Sequence, residues 1–141
     1  MSIIEMTNVH FVRNQQVILK NINWTVEKNE HWVILGLNGS GKSSLLKLIM
    51  AENWKTNGEL TVLGTRFGVD RIPELRAKIG IVGSFIAERF RPDIVAENLV
   101  LTGRYNASML YRAFSDTDLD EARGLMRQIG ADQLIGRIYG T

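Results

Sequence analysis

The segment Gly36–Ser43 has the residue types and the spacing that could hold a triphosphate. It fits the pattern G-x-x-x-x-G-K-[ST], and its residues are Gly36, Leu37, Asn38, Gly39, Ser40, Gly41, Lys42 and Ser43. Because glycine lacks a Cβ atom, the backbone can turn successive N–H groups inward around phosphate oxygens. The pattern therefore predicts a nucleotide-binding loop.

Two side chains of this loop are expected to act on the ligand directly. Lys42 would place a full positive charge on the β and γ phosphates, and Ser43 would place its hydroxyl on the Mg²⁺ that bridges them. The alternative is a glycine-rich turn that merely connects two elements. Lys42 argues against that alternative, because a cation at a helix N-terminus is unfavourable unless an anion is bound there.

The elements on either side of the loop are those that such a site needs. Trp32–Leu35 is a continuous apolar run, which predicts a strand covered on both faces. Beyond the loop, apolar residues from Leu45 to Met50 recur at helical spacing and predict a helix. Its N-terminus would add oriented N–H donors and a partial positive charge.

Antiparallel strands are predicted before the strand that leads into the loop. Apolar and polar residues alternate over 3–26, and turns are expected at Asn14-Gln15 and at 27–30, where Asn29 can adopt the left-handed conformation. In the alternation, Met6 and Asn8 fall on one face and Val9 and Phe11 on the other.

Further strands and helices are predicted after the helix that follows the loop. A short strand is predicted after Asn57-Gly58, a short helix from Pro73 and a second apolar strand at Ile79–Val82. Helical spacing follows beyond Pro92. One helix is expected to begin at a capping box of Asp118 with Glu121 and to stop at Gly130, with Leu119, Ala122, Met126 and Ile129 on one face.

Composition excludes several classes of protein. The 141 residues are 45% apolar and 23% charged, which is typical of a globular chain and not of a disordered one. With no cysteine and two histidines, thiolate catalysis, disulfides and a rich metal site are excluded. The formal charge of +2 is a weak indication of anionic partners. No apolar run is long enough for a membrane span, so the chain is expected to be cytoplasmic.

Several segments closely resemble the ATP-binding subunits of ABC transporters. They are Asn8-Val9, Val17–Val26, Asn29-Glu30, Ile34–Ile49 and Gly58–Gly64. The resemblance covers essentially the whole chain and implies an α/β P-loop NTPase of ABC type, with an antiparallel β-subdomain, a partial parallel core sheet and the start of a helical subdomain. Residues 1–141 would be one incomplete nucleotide-binding domain, with the β-subdomain and phosphate-loop core in 1–91 and the helical start in 92–141.

The resemblance implies roles for residues in and around the loop. Gly36–Ser43 would be the Walker A motif, and Ser44, where the family often has Thr, would lie near the α-phosphate. The adenine-stacking position, usually aromatic, aligns with Arg13, whose guanidinium plane can also stack on a purine. Two alternatives stay open: Arg13 is an exposed hairpin charge, or the neighbouring Phe11 stacks instead.

The chain also departs from the family's pattern at the Q-loop glutamine, which in the family touches the magnesium ion and the attacking water. The resemblance places Ser84 there, after the predicted strand Ile79–Val82. Ser84 keeps an oxygen with a shorter reach, so it would bind the metal through an extra water or by a variant geometry. The alternative is that Ser84 only caps a strand.

The family's signature segment, Walker B aspartate, catalytic glutamate and switch histidine would all lie beyond Thr141. No catalytic residue is therefore identified within the chain. We expect the 141-residue chain alone to bind ATP weakly, to hydrolyse it negligibly and to expose apolar sheet edges.

The resemblance implies an ATPase that couples ATP binding and hydrolysis to solute transport. Its partners would be a transmembrane permease and a second nucleotide-binding subunit, with no nucleic acid, and it would lie peripherally on the inner face of the cell membrane. Two alternatives stay open: a soluble ABC-type ATPase acting on ribosomes or nucleic acid, and a non-catalytic ATP-binding fragment.

Other conspicuous side chains have ordinary explanations. His10 and His31 are expected to be packed or solvated rather than metal ligands or bases, and the three tryptophans to be packing groups rather than a base-stacking platform. A mildly basic stretch is expected to be a solvated surface, with an acidic partner or nucleic acid as the alternative; it comprises Arg71, Arg76, Lys78, Arg89 and Arg91.

Overall fold

Two long antiparallel strands open the chain in the computed structural model, which describes residues 1–105 and 113–140. Strand β1 spans Ser2–Arg13 and β2 spans Gln16–Glu27. The predicted turn joins them, with φ of +49° at Asn14 and +63° at Gln15. Positive φ at both central residues is the type I′ pattern, whose twist matches that of the paired strands. The predicted left-handed Asn29 is also confirmed, with φ of +70°.

Two further strands complete an antiparallel sheet. Strand β3 spans Asn57–Val62 and β4 spans Thr65–Arg66, and the strand order is β2-β1-β3-β4. The central position of β1 places its buried side chains against those of both neighbours. The core of this sheet is formed by Met6, Val9, Phe11, Leu19, Val26, Leu60 and Val62.

The alternation predicted along β1 is wrong beyond Met6. Asn8 has a φ of +49°, and the register with β2 shifts between Met6 and Val9. This bulge inserts an extra residue, so Val9 and Phe11 face the same core as Met6. The sequence pattern placed those two side chains on the opposite face.

Two helices accompany the sheet. Helix α1 spans Lys42–Ile49 and buries Leu48 and Ile49. Helix α2 spans Ile72–Arg76, with Pro73 in its first turn, as predicted. The guanidinium group of Arg76 donates a hydrogen bond to the carbonyl oxygen of Ala51, just after the end of α1. Ala51 follows Met50, the C-cap residue of α1, so this bond links α2 to the segment that leaves α1.

The two predicted apolar strands do not form. Neither Trp32–Leu35 nor Ile79–Val82 is a strand, and the described residues hold no parallel ladder. A continuous apolar run becomes a buried strand only when strands pair with it and layers cover it. The parallel part of the predicted core sheet is therefore not formed in the described part of the chain.

The chain divides into two compact units, Met1–Lys78 and the residues from Ile79 onward. The second unit contains a 3-10 helix at Ser84–Arg89, helix α3 at Ala96–Tyr105, helix α4 at Asp116–Gln128 and a 3-10 turn at Asp132–Leu134. Residues 106–112 and Thr141, which the predicted helical subdomain includes, lie outside the described residues.

Helix α4 has a different first turn from the one predicted. Its N-cap is Ser115, whose Oγ accepts a hydrogen bond from the backbone N–H of Asp118 at 3.2 Å. In return, the Asp118 carboxylate accepts one from the Ser115 N–H at 3.0 Å. The capping box therefore lies three residues before the predicted one, whereas the predicted stop at Gly130, with φ of +71°, is confirmed. Among the described residues, no helix combines the length and apolarity needed to cross a membrane.

Candidate nucleotide-binding loop

The segment Gly36–Ser43 forms a tight turn that leads directly into α1. Gly39 and Gly41 have φ of +80° and +95°, a region that favours glycine. Within the turn, the Ser40 N–H donates to the Leu37 carbonyl oxygen at 3.1 Å. The first helical bond follows, from the Leu45 N–H to the Gly41 carbonyl oxygen at 2.9 Å. The predicted order of glycine loop and helix is confirmed.

Space also restricts substitution at one glycine of the loop, Gly41. A Cβ atom on Gly41 would lie 2.9 Å from Cδ2 of Leu19 and 3.1 Å from the carbonyl oxygen of Ile18. A Cβ atom on Gly36 would lie 2.5 Å from Oγ of Ser40. The loop is thus packed against β2 at Gly41, whereas the Ser40 hydroxyl beside Gly36 can rotate away.

The ammonium group of Lys42 lies inside this turn. Its Nζ donates hydrogen bonds to the carbonyl oxygens of Gly36 and Leu37, each at 2.7 Å, and lies 3.5 Å from Oγ of Ser40. These are charge-assisted bonds, which are stronger than bonds between neutral groups. They hold the positive charge against the first two residues of the loop.

The N-terminus of α1 adds to this positive potential. The first turn of the helix contains no acidic residue, and no side chain caps its N-terminal N–H groups. Such groups carry a partial positive charge and bind phosphate oxygens well. Lys42 and the helix end therefore act on the same small region.

The hydroxyl groups predicted to act on the ligand stand at the start of α1. Ser43 is exposed and the following Ser44 is half-buried. The described residues contain no group of three or more His, Asp or Glu side chains that could hold a metal alone. Mg²⁺ is commonly held by few protein oxygens together with substrate phosphates, and an exposed Ser43 beside the loop fits that arrangement.

The two candidates for stacking on the base, Arg13 and Phe11, differ in their exposure to solvent. Arg13 is exposed at the end of β1, opposite Gln16 in the hairpin register. Phe11 is only 7% exposed in the sheet core, so the alternative that Phe11 stacks on the base is wrong. Stacking by Arg13 stays a prediction.

Ser84 lies in the second unit, where it begins the 3-10 helix Ser84–Arg89. The residue before it, Gly83, has extended backbone. Because Ile79–Val82 is not a strand, the alternative that Ser84 caps a strand is wrong. Its part in metal binding stays a prediction.

The remaining candidates have local partners. Trp24 and Trp32 pack edge to face with ring centres 5.6 Å apart, and the Trp32 indole N–H donates to Glu30 at 3.0 Å. The Glu27 backbone N–H and this indole lower the pKa of the Glu30 carboxyl. In the basic stretch, Arg91 pairs with Asp93 at 2.6 Å. These contacts favour the packing and solvated-surface interpretations.

The sequence did not predict which carbonyl oxygens bind Lys42 or which residues of β2 pack against the loop. The carbonyl oxygens of Gly36 and Leu37 hold Lys42, and Ile18 and Leu19 of β2 limit the space at Gly41. Neither role depends on a particular residue type within the motif, so the pattern carries no signal for either. The approach of Gly41 to β2 is visible only in three dimensions.

Comparison with known proteins gives one consistent family. Residues 19–139 match the family described as "ABC transporter". The uncharacterized ABC transporter ATP-binding protein YmeB of Lactococcus lactis is 62% identical over 141 residues, which are 100% of this chain and 54% of that protein. The uncharacterized ABC transporter ATP-binding protein YlmA of Bacillus subtilis is 39% identical over 140 residues, covering 99% of this chain and 53% of that protein.

Solved structures show the same fold. The ATP-binding cassette MJ0796, solved as a dimer in a post-hydrolysis state with ADP and Pi, has a TM-score of 0.72 at 22% identity over 96% of this chain and 61% of its own. A nucleotide-free ATP-binding cassette from an ABC transporter has a TM-score of 0.71 at 20% identity over 99% of this chain and 58% of its own. The predicted fold class is confirmed, and the chain spans about half the length of the curated relatives it matches.

Proposed function

We propose that this chain, which belongs to the ABC transporter family of ATP-binding proteins, supplies the phosphate-binding loop of an ATPase that drives solute transport across a membrane. One observation carries the proposal. The Lys42 ammonium group is held by the carbonyl oxygens of Gly36 and Leu37, inside the glycine turn that leads into α1, and the first turn of α1 contains no acidic residue.

The chemistry at this loop would be mainly positioning and charge neutralisation. Lys42 would bind the β and γ phosphates, while the backbone N–H groups of Gly39 and of 41–43 would bind the remaining phosphate oxygens. Ser44 would lie near the α-phosphate, and Arg13 would stack on the base. Mg²⁺, held through Ser43 and indirectly through Ser84, would supply further positive charge on the phosphates.

Hydrolysis would need a group that activates water, and none is identified among the described residues. We expect the chain alone to bind ATP weakly and to hydrolyse it negligibly. In domain terms, 1–91 would be the β-subdomain with the phosphate-loop core, and 92–141 the start of a helical subdomain.

The proposed partners follow from the family. Two copies of the nucleotide-binding subunit would close on ATP, and a transmembrane permease would move with that closure. The subunit would then work in the cytoplasm against the inner face of the cell membrane. The dimeric state described for MJ0796 supports the first of these partners by analogy of fold.

Titration of the chain with a fluorescent ATP analogue tests the proposal. Lys42→Ala should weaken binding about ten- to hundred-fold in the presence of Mg²⁺, since hydrogen bonds to charged groups contribute about 1.5–3 kcal/mol. Lys47→Ala is the matched control, because Lys47 lies in the last turn of the same helix. It should bind like the wild type.

Equal binding by the Lys42 and Lys47 variants would refute a nucleotide site at this loop. Chelating Mg²⁺ should weaken wild-type binding. Binding that is indifferent to Mg²⁺ would instead favour the non-catalytic fragment.

A further inference from the structure

Residues 136–140, here called the strap, lie antiparallel to the segment that leads into α3. The N–H of Ala96 donates to the carbonyl oxygen of Arg137 at 2.9 Å, and that of Tyr139 donates to Ile94 at 2.8 Å. The last of these bonds, from Gly140 to Pro92, is 2.7 Å long. A Cβ atom on Gly140 would lie 2.7 Å from the Pro92 carbonyl oxygen, so the two backbones touch.

A buried carboxylate anchors the other end of the strap. The side chain of Glu97, in the first turn of α3, is 5% exposed and accepts a hydrogen bond from the Gly136 N–H at 2.9 Å. Its second oxygen accepts one from Nε of Arg123 in α4 at 3.3 Å. The strap is therefore held at both ends, which fixes the backbone of Tyr139 between them.

Tyr139 reaches from the strap to the 3-10 helix. Its ring packs edge to face on Phe90, with ring centres 6.3 Å apart, and its hydroxyl donates to the carbonyl oxygen of Ala87 at 3.3 Å. The same oxygen accepts the Phe90 N–H at 3.4 Å, the bond that ends the 3-10 helix. One side chain thus contacts the last turn of this helix both by its ring and by its hydroxyl.

We propose that Tyr139 couples the 3-10 helix Ser84–Arg89 to the strap, so that a displacement of either is transmitted to the other. The strap is fixed by backbone bonds and by Glu97, whereas 3-10 helices have poorer hydrogen-bond geometry than α-helices. Moving the helix must therefore either break the Tyr139 contacts or shift the strap. Where Ser84 senses the nucleotide, the strap would respond to the ligand; this part rests on the proposed function.

Reciprocal hydrogen exchange tests the coupling in the full chain. Tyr139→Leu should speed amide exchange at Ile86 and Phe90 about five-fold, the change expected from losing one ordinary hydrogen bond. Phe90→Leu should speed exchange at Tyr139 and Gly140 to a similar extent, because coupling between two sites is reciprocal. Leu125→Ala, at an exposed position of α4, should change neither pair.

The coupling is overturned if Tyr139→Leu changes amide exchange only in the strap and Phe90→Leu changes it only in and beside the 3-10 helix. If a leucine variant does not fold, Tyr139→Phe removes the hydroxyl alone, and unchanged exchange at Phe90 would then overturn it.

Nucleotide addition separates the coupling from the proposed function. With Mg-ATP, exchange at Tyr139 and Gly140 should change in the wild type and stay constant in Tyr139→Leu, although both bind the nucleotide. A change of equal size in both proteins would overturn transmission through Tyr139. If Mg-ATP leaves the amides of 39–43 unchanged, the proposed function has failed, and the reciprocal exchange result still decides the coupling.

Discussion

The Nζ atom of Lys42 lies 2.7 Å from the carbonyl oxygen of Gly36, so the first residue of α1 closes the loop that precedes it. The bond ties the two ends of the turn together and holds the ammonium group where the glycines and the helix end meet. A charge fixed in this way loses less conformational freedom when a ligand binds than a mobile surface lysine does. Several properties of the loop and its scaffold follow and can be measured.

The two left-handed glycines of the loop should respond differently to alanine. Gly39→Ala meets no atom within 4 Å, so it should cost only the left-handed strain, about 1–2 kcal/mol. Gly41→Ala carries the same strain and also places its Cβ against Leu19 and Ile18. Denaturant unfolding should show a larger loss of stability for Gly41→Ala. Equal losses would contradict the packing of the loop against β2.

The hairpin turn between β1 and β2 should be improved by one substitution. Gln15 adopts a φ of +63°, where a type I′ turn favours glycine after asparagine. Gln15→Gly should raise the free energy of unfolding by about 0.5–1 kcal/mol, because the relief of strain exceeds the added backbone entropy of glycine. Gln16→Gly, in the strand beside it, should lower stability. Thermal unfolding of the two variants distinguishes a turn effect from a general effect of glycine.

The buried carboxylate of Glu97 should matter far more than an exposed neighbour that binds the same arginine. Glu97→Ala leaves the Gly136 N–H and the Arg123 guanidinium without this acceptor, which should cost about 1–3 kcal/mol. Asp120 also pairs with Arg123, at 3.2 Å, but its side chain is 75% exposed. Asp120→Ala should therefore cost below about 1 kcal/mol. Similar losses in chemical denaturation would argue against the anchoring role of Glu97.

The same carboxylate should make stability depend on pH. Burial favours the neutral acid, but hydrogen bonds from the Gly136 N–H, from the backbone N–H of Glu97 itself and from Arg123 together outweigh it and lower the pKa of Glu97 in the folded chain. Its ionised form therefore stabilises the fold above the pKa of the unfolded chain, and this contribution is lost as pH falls through the folded pKa. The difference in unfolding free energy between wild type and Glu97→Gln should shrink between pH 7 and pH 3. A difference that does not vary with pH would contradict this.

Exposed apolar side chains just before the loop and at its start should promote association. Val33, Leu35 and Leu37 are 79%, 87% and 85% exposed. Because adjacent exposed apolar side chains favour contacts between molecules, the chain should scatter more light as concentration rises. Leu35→Ser with Leu37→Ser should reduce this without lowering the melting temperature. Unchanged association in the double variant would exclude this segment as the cause.

Local patterns could be read from the sequence, whereas features that depend on distant neighbours could not. The glycines and Lys42 identify the loop, and Asn14-Gln15 identifies a hairpin, since both depend on nearby residues. The bulge at Asn8 inverts the face of Phe11, which alternation alone does not reveal. Trp32–Leu35 has the composition of a buried strand, but its burial depends on neighbours that composition does not specify.

The first turn of α1 carries no negative charge, and this has a consequence for any effort to make the protein more heat-resistant. A carboxylate there, as in Ser44→Glu, would improve the electrostatics of the helix by about 0.3–1 kcal/mol. The same carboxylate would repel a polyanion from the glycine turn. Selection for thermal robustness and selection for ligand capture therefore oppose each other at this turn, and a sturdier variant obtained this way would be a poorer binder.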